Sequence, residues 1–154
     1  FDDPTGDRGF LVHIPLLKSV MSPFPFWIDA DAPLLEARQM MQEHGVRHLP
    51  VKKDGELYSV ITDRDLKFTL DPTLGLPPRE AMRVRDVCVY TAFTVDIDTR
   101  LDAVLAEMAE RRIGSALVTR NDKLAGIFTY VDACAAFASL LRESRSDGQD
   151  PHAA

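Results

Sequence analysis

Val60-Ile61-Thr62-Asp63-Arg64-Asp65-Leu66 reads as a buried strand running straight into a capped helix. Sixty-seven residues later the chain reads Ile127-Phe128-Thr129-Tyr130-Val131-Asp132-Ala133, again an apolar pair, Thr, two variable residues and Asp. In each copy a hydroxyl and a carboxylate stand three residues apart, where the carboxyl end of a strand meets the amino end of a helix. That edge of the sheet is where α/β proteins bind their ligands.

Two roles suit Thr-x-x-Asp. As a capping box, the Thr hydroxyl accepts from the amide three residues on and the acid reaches back to the Thr amide, satisfying two orphan helix donors. As a ligand site, the Asp carboxylate accepts from two neighbouring hydroxyls, such as a ribose 2′ and 3′ pair, while Thr holds another ligand oxygen. A single occurrence favours the cap.

The motif gains weight from a gapless internal repeat. Residues 17–67 align with 84–134 at a constant shift of 67, with identities at Val20/Val87, Phe26/Phe93, Asp29/Asp96, Leu34/Leu101, Met41/Met108, Val51/Val118, Thr62/Thr129 and Asp65/Asp132 among others. Neither unit is large enough to bury a full core, so the two are expected to pack face to face with pseudo-two-fold symmetry and to form two equivalent clefts.

Each unit is expected to run strand, helix, strand, strand, helix. In the first, Phe24 to Ile28 is the opening strand, Asp31 is the N-cap with Pro33 in the first turn, and Leu34, Ala37, Met40 and Met41 form the apolar face of a helix that Gly45 stops. Asp54-Gly55 signals a hairpin between two further strands, and Thr62 opens the second helix. The second unit repeats the order with its hairpin turn at Asn121-Asp122 and a longer last helix, from Tyr130 to about Arg142. Val131, Cys134, Phe137, Ala138 and Leu141 on that helix exceed what a small domain covers, so the face is expected to meet a second copy. The division is a mobile lead-in at 1–16, repeat 1 at 17–70, a proline-rich linker at 71–83, repeat 2 at 84–142 and a disordered tail at 143–154.

Composition narrows the function. The 154 residues carry a formal charge of −6 with no basic stripe, which excludes a nucleic-acid backbone tracker. Cys88 and Cys134 lack C-x-x-C spacing, so neither a disulfide framework nor a zinc ribbon is indicated. His44 and His48 are four apart, but Gly45 and the onset of a strand intervene, so no metal site is expected. No apolar run is long enough to span a bilayer and no leader pattern is present, which points to a cytoplasmic protein without a membrane partner. No nucleophile elbow, Gly-rich phosphate loop or H-E-x-x-H occurs, so no catalytic residue is expected.

The doubled unit, with Leu17-x-x-Val20-Met21 (Val84-x-x-Val87-Cys88 in the second copy) before the first strand, a His-Leu-Pro-Val strand at 48–51 and the Thr-x-x-Asp endings, resembles the CBS domain, named after cystathionine β-synthase. The resemblance implies an α/β (α+β) fold of tandem β-α-β-β-α repeats. It also implies a regulatory pair that dimerises and takes AMP, ADP, ATP or S-adenosylmethionine in clefts between repeats, with no tightly bound cofactor. Carried over, Thr62 and Asp65 serve one ribose and Thr129 and Asp132 the other. His48 and its counterpart Ser115 stand where the family places a ligand-facing basic residue. Ser22-Pro23, and Val89-Tyr90 after it, stand where the family's backbone contacts the base. Arg64 lies inside the first motif and Val131 replaces it in the second, so the first cleft is expected to suit a phosphorylated ligand. The family's Gly before the apolar pair is present as Gly126 in the second copy and is Ser59 in the first. The alternatives are a purely structural dimerisation module and a regulatory fragment of a larger enzyme or transporter, which adds a regulated protein partner.

Overall fold

The structure is a computed structural model that describes residues 13–75, 79–88 and 91–146. Two small sheets carry four helices in the order β1 (Ser22–Pro23), β2 (Ile28–Asp29), α1 (Leu34–His44), β3 (His48–Lys53), β4 (Glu56–Thr62), α2 (Asp63–Thr69), β5 (Thr94–Asp96), α3 (Leu101–Arg111), β6 (Ser115–Arg120), β7 (Lys123–Thr129) and α4 (Tyr130–Ser146). One sheet is ordered β2-β3-β4 and the other β1-β7-β6-β5. The tandem α/β arrangement expected from the repeat is therefore present.

The repeat extends to backbone detail. Both hairpins turn through positive φ, at Asp54 (53°) and Gly55 (80°) in the first and at Asn121 (51°) and Asp122 (62°) in the second, as tight turns matching the strand twist require. A bulge interrupts the register between Val51 and Lys52 in one hairpin and between Val118 and Thr119 in the other. Helix α1 ends on Gly45 at φ 64°, whereas α3 ends on Arg112 at φ 55°. A non-glycine residue there costs roughly 1–2 kcal/mol.

Segments ahead of each repeat dock on the other half. The Leu101 amide at the start of α3 donates to Pro15 O at 3.0 Å, and the Leu34 amide at the start of α1 donates to Met82 O at 2.9 Å. Leu17 lies fully buried with Ile97, Leu101, Val104 and Phe128, while Val84 lies fully buried with Leu34, Leu49, Val51 and Ile61. Two apolar cores result, each completed by a short segment contributed across the repeat boundary.

Four expectations are corrected. Residues 14–16 are half-buried and Leu16 bridges to Arg100, so the lead-in is structural up to the edge of the described residues; its part at 1–12 lies outside them. Phe24 to Ile28 is not one strand: Pro23 and Pro25 have no N–H to give, and Phe24 turns the chain at φ 48°, leaving two-residue strands on either side. Asp31 does not cap α1. Pro33 occupies the N-cap, the Met82 carbonyl takes the first amide, and Asp31 pairs with Arg85. Helix α4 runs to Ser146, past the boundary drawn at 142, and the tail from 147 lies outside the described residues. The linker holds short 3-10 turns at Pro72–Leu74 and Arg79–Ala81 and a buried Met82; residues 76–78 lie outside the description.

Candidate functional site

Both Thr-x-x-Asp pairs form capping boxes. Thr62 donates to Asp65 Oδ2 from its amide (2.8 Å) and its hydroxyl (2.7 Å), and the Thr62 hydroxyl oxygen accepts from the Asp65 amide at 3.2 Å. Thr129 and Asp132 repeat the geometry at 2.8, 2.9 and 3.5 Å. The cap uses one carboxylate oxygen of each Asp. Asp132 Oδ1 accepts from Ser22 Oγ at 3.2 Å, a bond that joins the two repeats across 110 residues.

Each box stands in the wall of a cleft built from both repeats. The first cleft, of about 500 Å³, sets Thr62, Asp63, Arg64 and Asp65 against Arg112, Ile113, Gly114 and Tyr130. The second, of about 370 Å³, sets Thr129 and Asp132 against Ser22, Pro23, Phe24 and Phe26. Arg47, His48 and Tyr130 line both and form a shared partition. Two strands put the partition in place: His48 pairs with Thr62 across β3 and β4, and the Asp63 amide donates to Arg47 O at 2.9 Å.

The structure thus brings Thr62, Arg64, Asp65 and His48 to one cleft, and Ser22, Pro23, His48, Thr129 and Asp132 to the other. Ser115 joins neither. It pairs with Thr129 across β6 and β7, is 8% exposed, and Gly114 beside it reaches the first cleft instead. Val89 and Tyr90 lie outside the described residues.

Electrostatics separate the clefts. Arg47, Arg64 and Arg112 all line the first, and none is joined to a carboxylate among the described residues. Asp63 there is held by Lys67 at 3.0 Å. The second cleft shares Arg47 but is otherwise walled by Pro23, Phe24, Pro25, Phe26, Val46, Ile127 and Val131. Burial lowers the pKa of His48 from 6.5, with Asp63 and Asp65 opposing and Arg47 assisting, so the imidazole is neutral at pH 7 and offers one donor and one acceptor.

Gly126 lies at a close backbone approach. A Cβ there would clash with Met21 Sδ and meet Ser22 O at 3.0 Å, because β1 pairs antiparallel with β7 at Ser22↔Ile127 and Pro23↔Gly126. The first repeat solves the same contact differently: Ser59 replaces the glycine and Cys88 replaces the methionine. Their side chains hydrogen-bond, and burial pushes the Cys88 thiol up to about 11.

Arg47, Arg112, Tyr130 and Phe24 were not singled out from sequence. The repeat alignment carried a signal for two of them, since Arg112 falls on Gly45 and Arg47 on Gly114. An arginine facing a glycine in the other copy is paid for by no shared fold requirement.

A two-repeat α/β fold with one capped carboxylate and one open cleft per repeat defines the class of tandem-repeat domain pairs. The CBS domain profile matches residues 17–71 and again 84–139, and the chain belongs to the CBS domain family. The uncharacterized protein YlbB of Bacillus subtilis (strain 168) is 32% identical over 99 residues, 63% of this chain and 65% of that protein. An inosine-5′-monophosphate dehydrogenase of Staphylococcus haemolyticus is 26% identical over 112 residues, 70% of this chain and 21% of the dehydrogenase. The chain therefore spans less than two thirds of the curated relatives it matches. Among solved structures, the CBS domain pair of protein MJ0100, in complex with 5′-methylthioadenosine and S-adenosyl-L-methionine, superposes with a TM-score of 0.73 at 22% identity, covering 82% of this chain and 98% of that one. No described helix is long and apolar enough to cross a membrane.

Proposed function

We propose that this chain is a regulatory module that senses adenosine-containing ligands, AMP, ADP, ATP or S-adenosylmethionine, in the two clefts between its repeats. One observation carries the proposal: each Thr-x-x-Asp box stands in a cleft wall closed by the other repeat and keeps one carboxylate oxygen outside the cap. A ribose supplies adjacent hydroxyl donors for that oxygen. The Thr hydroxyl proton is committed to Asp, so Thr meets the ligand as an acceptor. The adenosyl ligands of the MJ0100 domain pair, which has the same fold, support the choice of adenosine.

Charge divides the ligands. Three arginines with no carboxylate partner among the described residues favour a phosphorylated ligand in the first cleft, extending the role argued for Arg64. The apolar second cleft favours an adenosyl ligand of low charge.

The dehydrogenase relative, of which the chain matches about a fifth, supports a module that regulates a larger enzyme or a protein partner. The exposed α4 face, with Val131 at 60%, Phe137 at 61% and Leu141 at 52%, supports a homodimer. Titration calorimetry with the four ligands, paired with melting temperatures, tests the proposal. A ligand that binds only the native state adds about 2.7 kcal/mol at a hundredfold excess over Kd. If all four leave the melting temperature unmoved at millimolar concentration, the structural dimerisation module takes its place.

A further inference from the structure

The turn between β1 and β2 presents a ring that its own packing does not require. Phe24 is 92% exposed and sits at φ 48°, a backbone region that favours glycine. The hydrophobic effect opposes leaving a phenyl ring in water, and sterics oppose placing it there. Yet the strap is held firmly at both ends. Before the ring, β1 is paired with β7 and the Phe24 amide donates to Ala125 O at 3.1 Å. After it, the Phe26 ring stacks on His44 with centroids 3.6 Å apart and planes 9° from parallel. Pro23 and Pro25 on either side restrict the backbone between these anchors.

Phe24 is among the residues lining the second cleft, at its open edge, together with Pro23, Val46, Ile127 and Val131. Thr91 stands at the corresponding place in the second repeat, so the ring belongs to one cleft and not to the repeat as such. An exposed aromatic at a strained backbone position, in a cleft that also holds the Asp132 carboxylate, suits the face of a planar heterocycle. Resting on the adenosine-binding function proposed above, we infer that Phe24 is the base-stacking and specificity-determining residue of the second cleft.

Glycine is the informative replacement, because it removes the ring and accepts φ 48° without strain. In an Asp65→Asn background, which weakens the first cleft, Phe24→Gly is expected to weaken adenosine binding in the second at least tenfold by calorimetry. Its melting temperature is expected to stay level or rise. Phe24→Tyr keeps near-parent affinity. Phe24→Trp, combined with Trp27→Phe to remove the single native tryptophan, gives an indole whose emission adenosine quenches on stacking. Full affinity in Phe24→Gly, or a melting temperature that drops with the affinity, overturns the inference and leaves the proposed function standing. If neither the native chain nor the Asp65→Asn parent binds adenosine, AMP or S-adenosylmethionine, both fall.

Discussion

One oxygen of Asp65 closes the cap on α2, accepting from the Thr62 amide at 2.8 Å, and the other stands outside the cap. The two roles separate in the Asp65→Asn variant, which keeps a carbonyl for the amide but loses charge and one acceptor. Folding stability is expected to change by under about 1 kcal/mol, while nucleotide binding loses one to a few kcal/mol, phosphorylated ligands most. A stability loss with intact affinity in both Asp65→Asn and Asp132→Asn would reduce the boxes to caps. The imidazole of His48 gives a pH prediction. Its folded pKa lies below the unfolded value of 6.5, chiefly through burial, so the unfolded chain takes up the proton first as pH falls. Stability contributed above 6.5 is lost below it, and His48→Gln is expected to flatten the melting profile on that acid side. At this scale the Thr and Asp pairs were legible because an exact repeat isolates them. Arg112 stands out only against Gly45 in the aligned copy, because its position is a helix C-cap and the composition around it reads as ordinary surface charge.

The elements differ in how locally they are specified. Hairpins at Asp54-Gly55 and Asn121-Asp122 were legible because turn chemistry is written in adjacent residues. The start of α1 was not, because Asp31 looks like a cap but the amide it would serve is taken by Met82 O, some fifty residues on. Sequence alone has no means of ranking a distant carbonyl over a neighbouring carboxylate. The contact between β1 and β7 is likewise non-local, and it has two versions: the larger Met21 with Gly126, and the smaller Cys88 with Ser59. Gly126→Ser alone is expected to cost about 1–3 kcal/mol, as overpacking does. Met21→Cys added to it recovers part of that loss in a chemical-denaturation cycle; additive losses would show that the two positions are not coupled. On α4, Leu141→Asp is expected to shift sedimentation from dimer to monomer, since Leu141 and Phe137 are exposed together on a helix face. A dimer untouched by this substitution would move the interface elsewhere.

The whole molecule is two cores that each borrow a segment from the other side of the repeat boundary. Leu17 completes the core around Val104 and Phe128, and Val84 completes the core around Leu34 and Ile61; all six are 1% exposed or less. Fully burying an aliphatic side chain of this kind contributes about 1.5–3 kcal/mol, and the exchanged segments also take the first amides of α1 and α3. Against the 5–15 kcal/mol that holds a domain folded, losing such a segment removes a large share of the stability of either half. The repeat units legible in the sequence are therefore not the folding units, because alignment sees similarity and not which copy a segment packs against. A chain cut at Gly75 is the test, since it falls between the two cores. Residues 1–75 expressed alone are expected to show no cooperative thermal transition. Mixed with residues 76–154, they are expected to recover one, because Val84 and Met82 return to the first core and Leu17 to the second. Since both clefts are walled by residues from both repeats, nucleotide binding should return only in the mixture. Independent cooperative melting of either piece would show that the exchanged segments are dispensable.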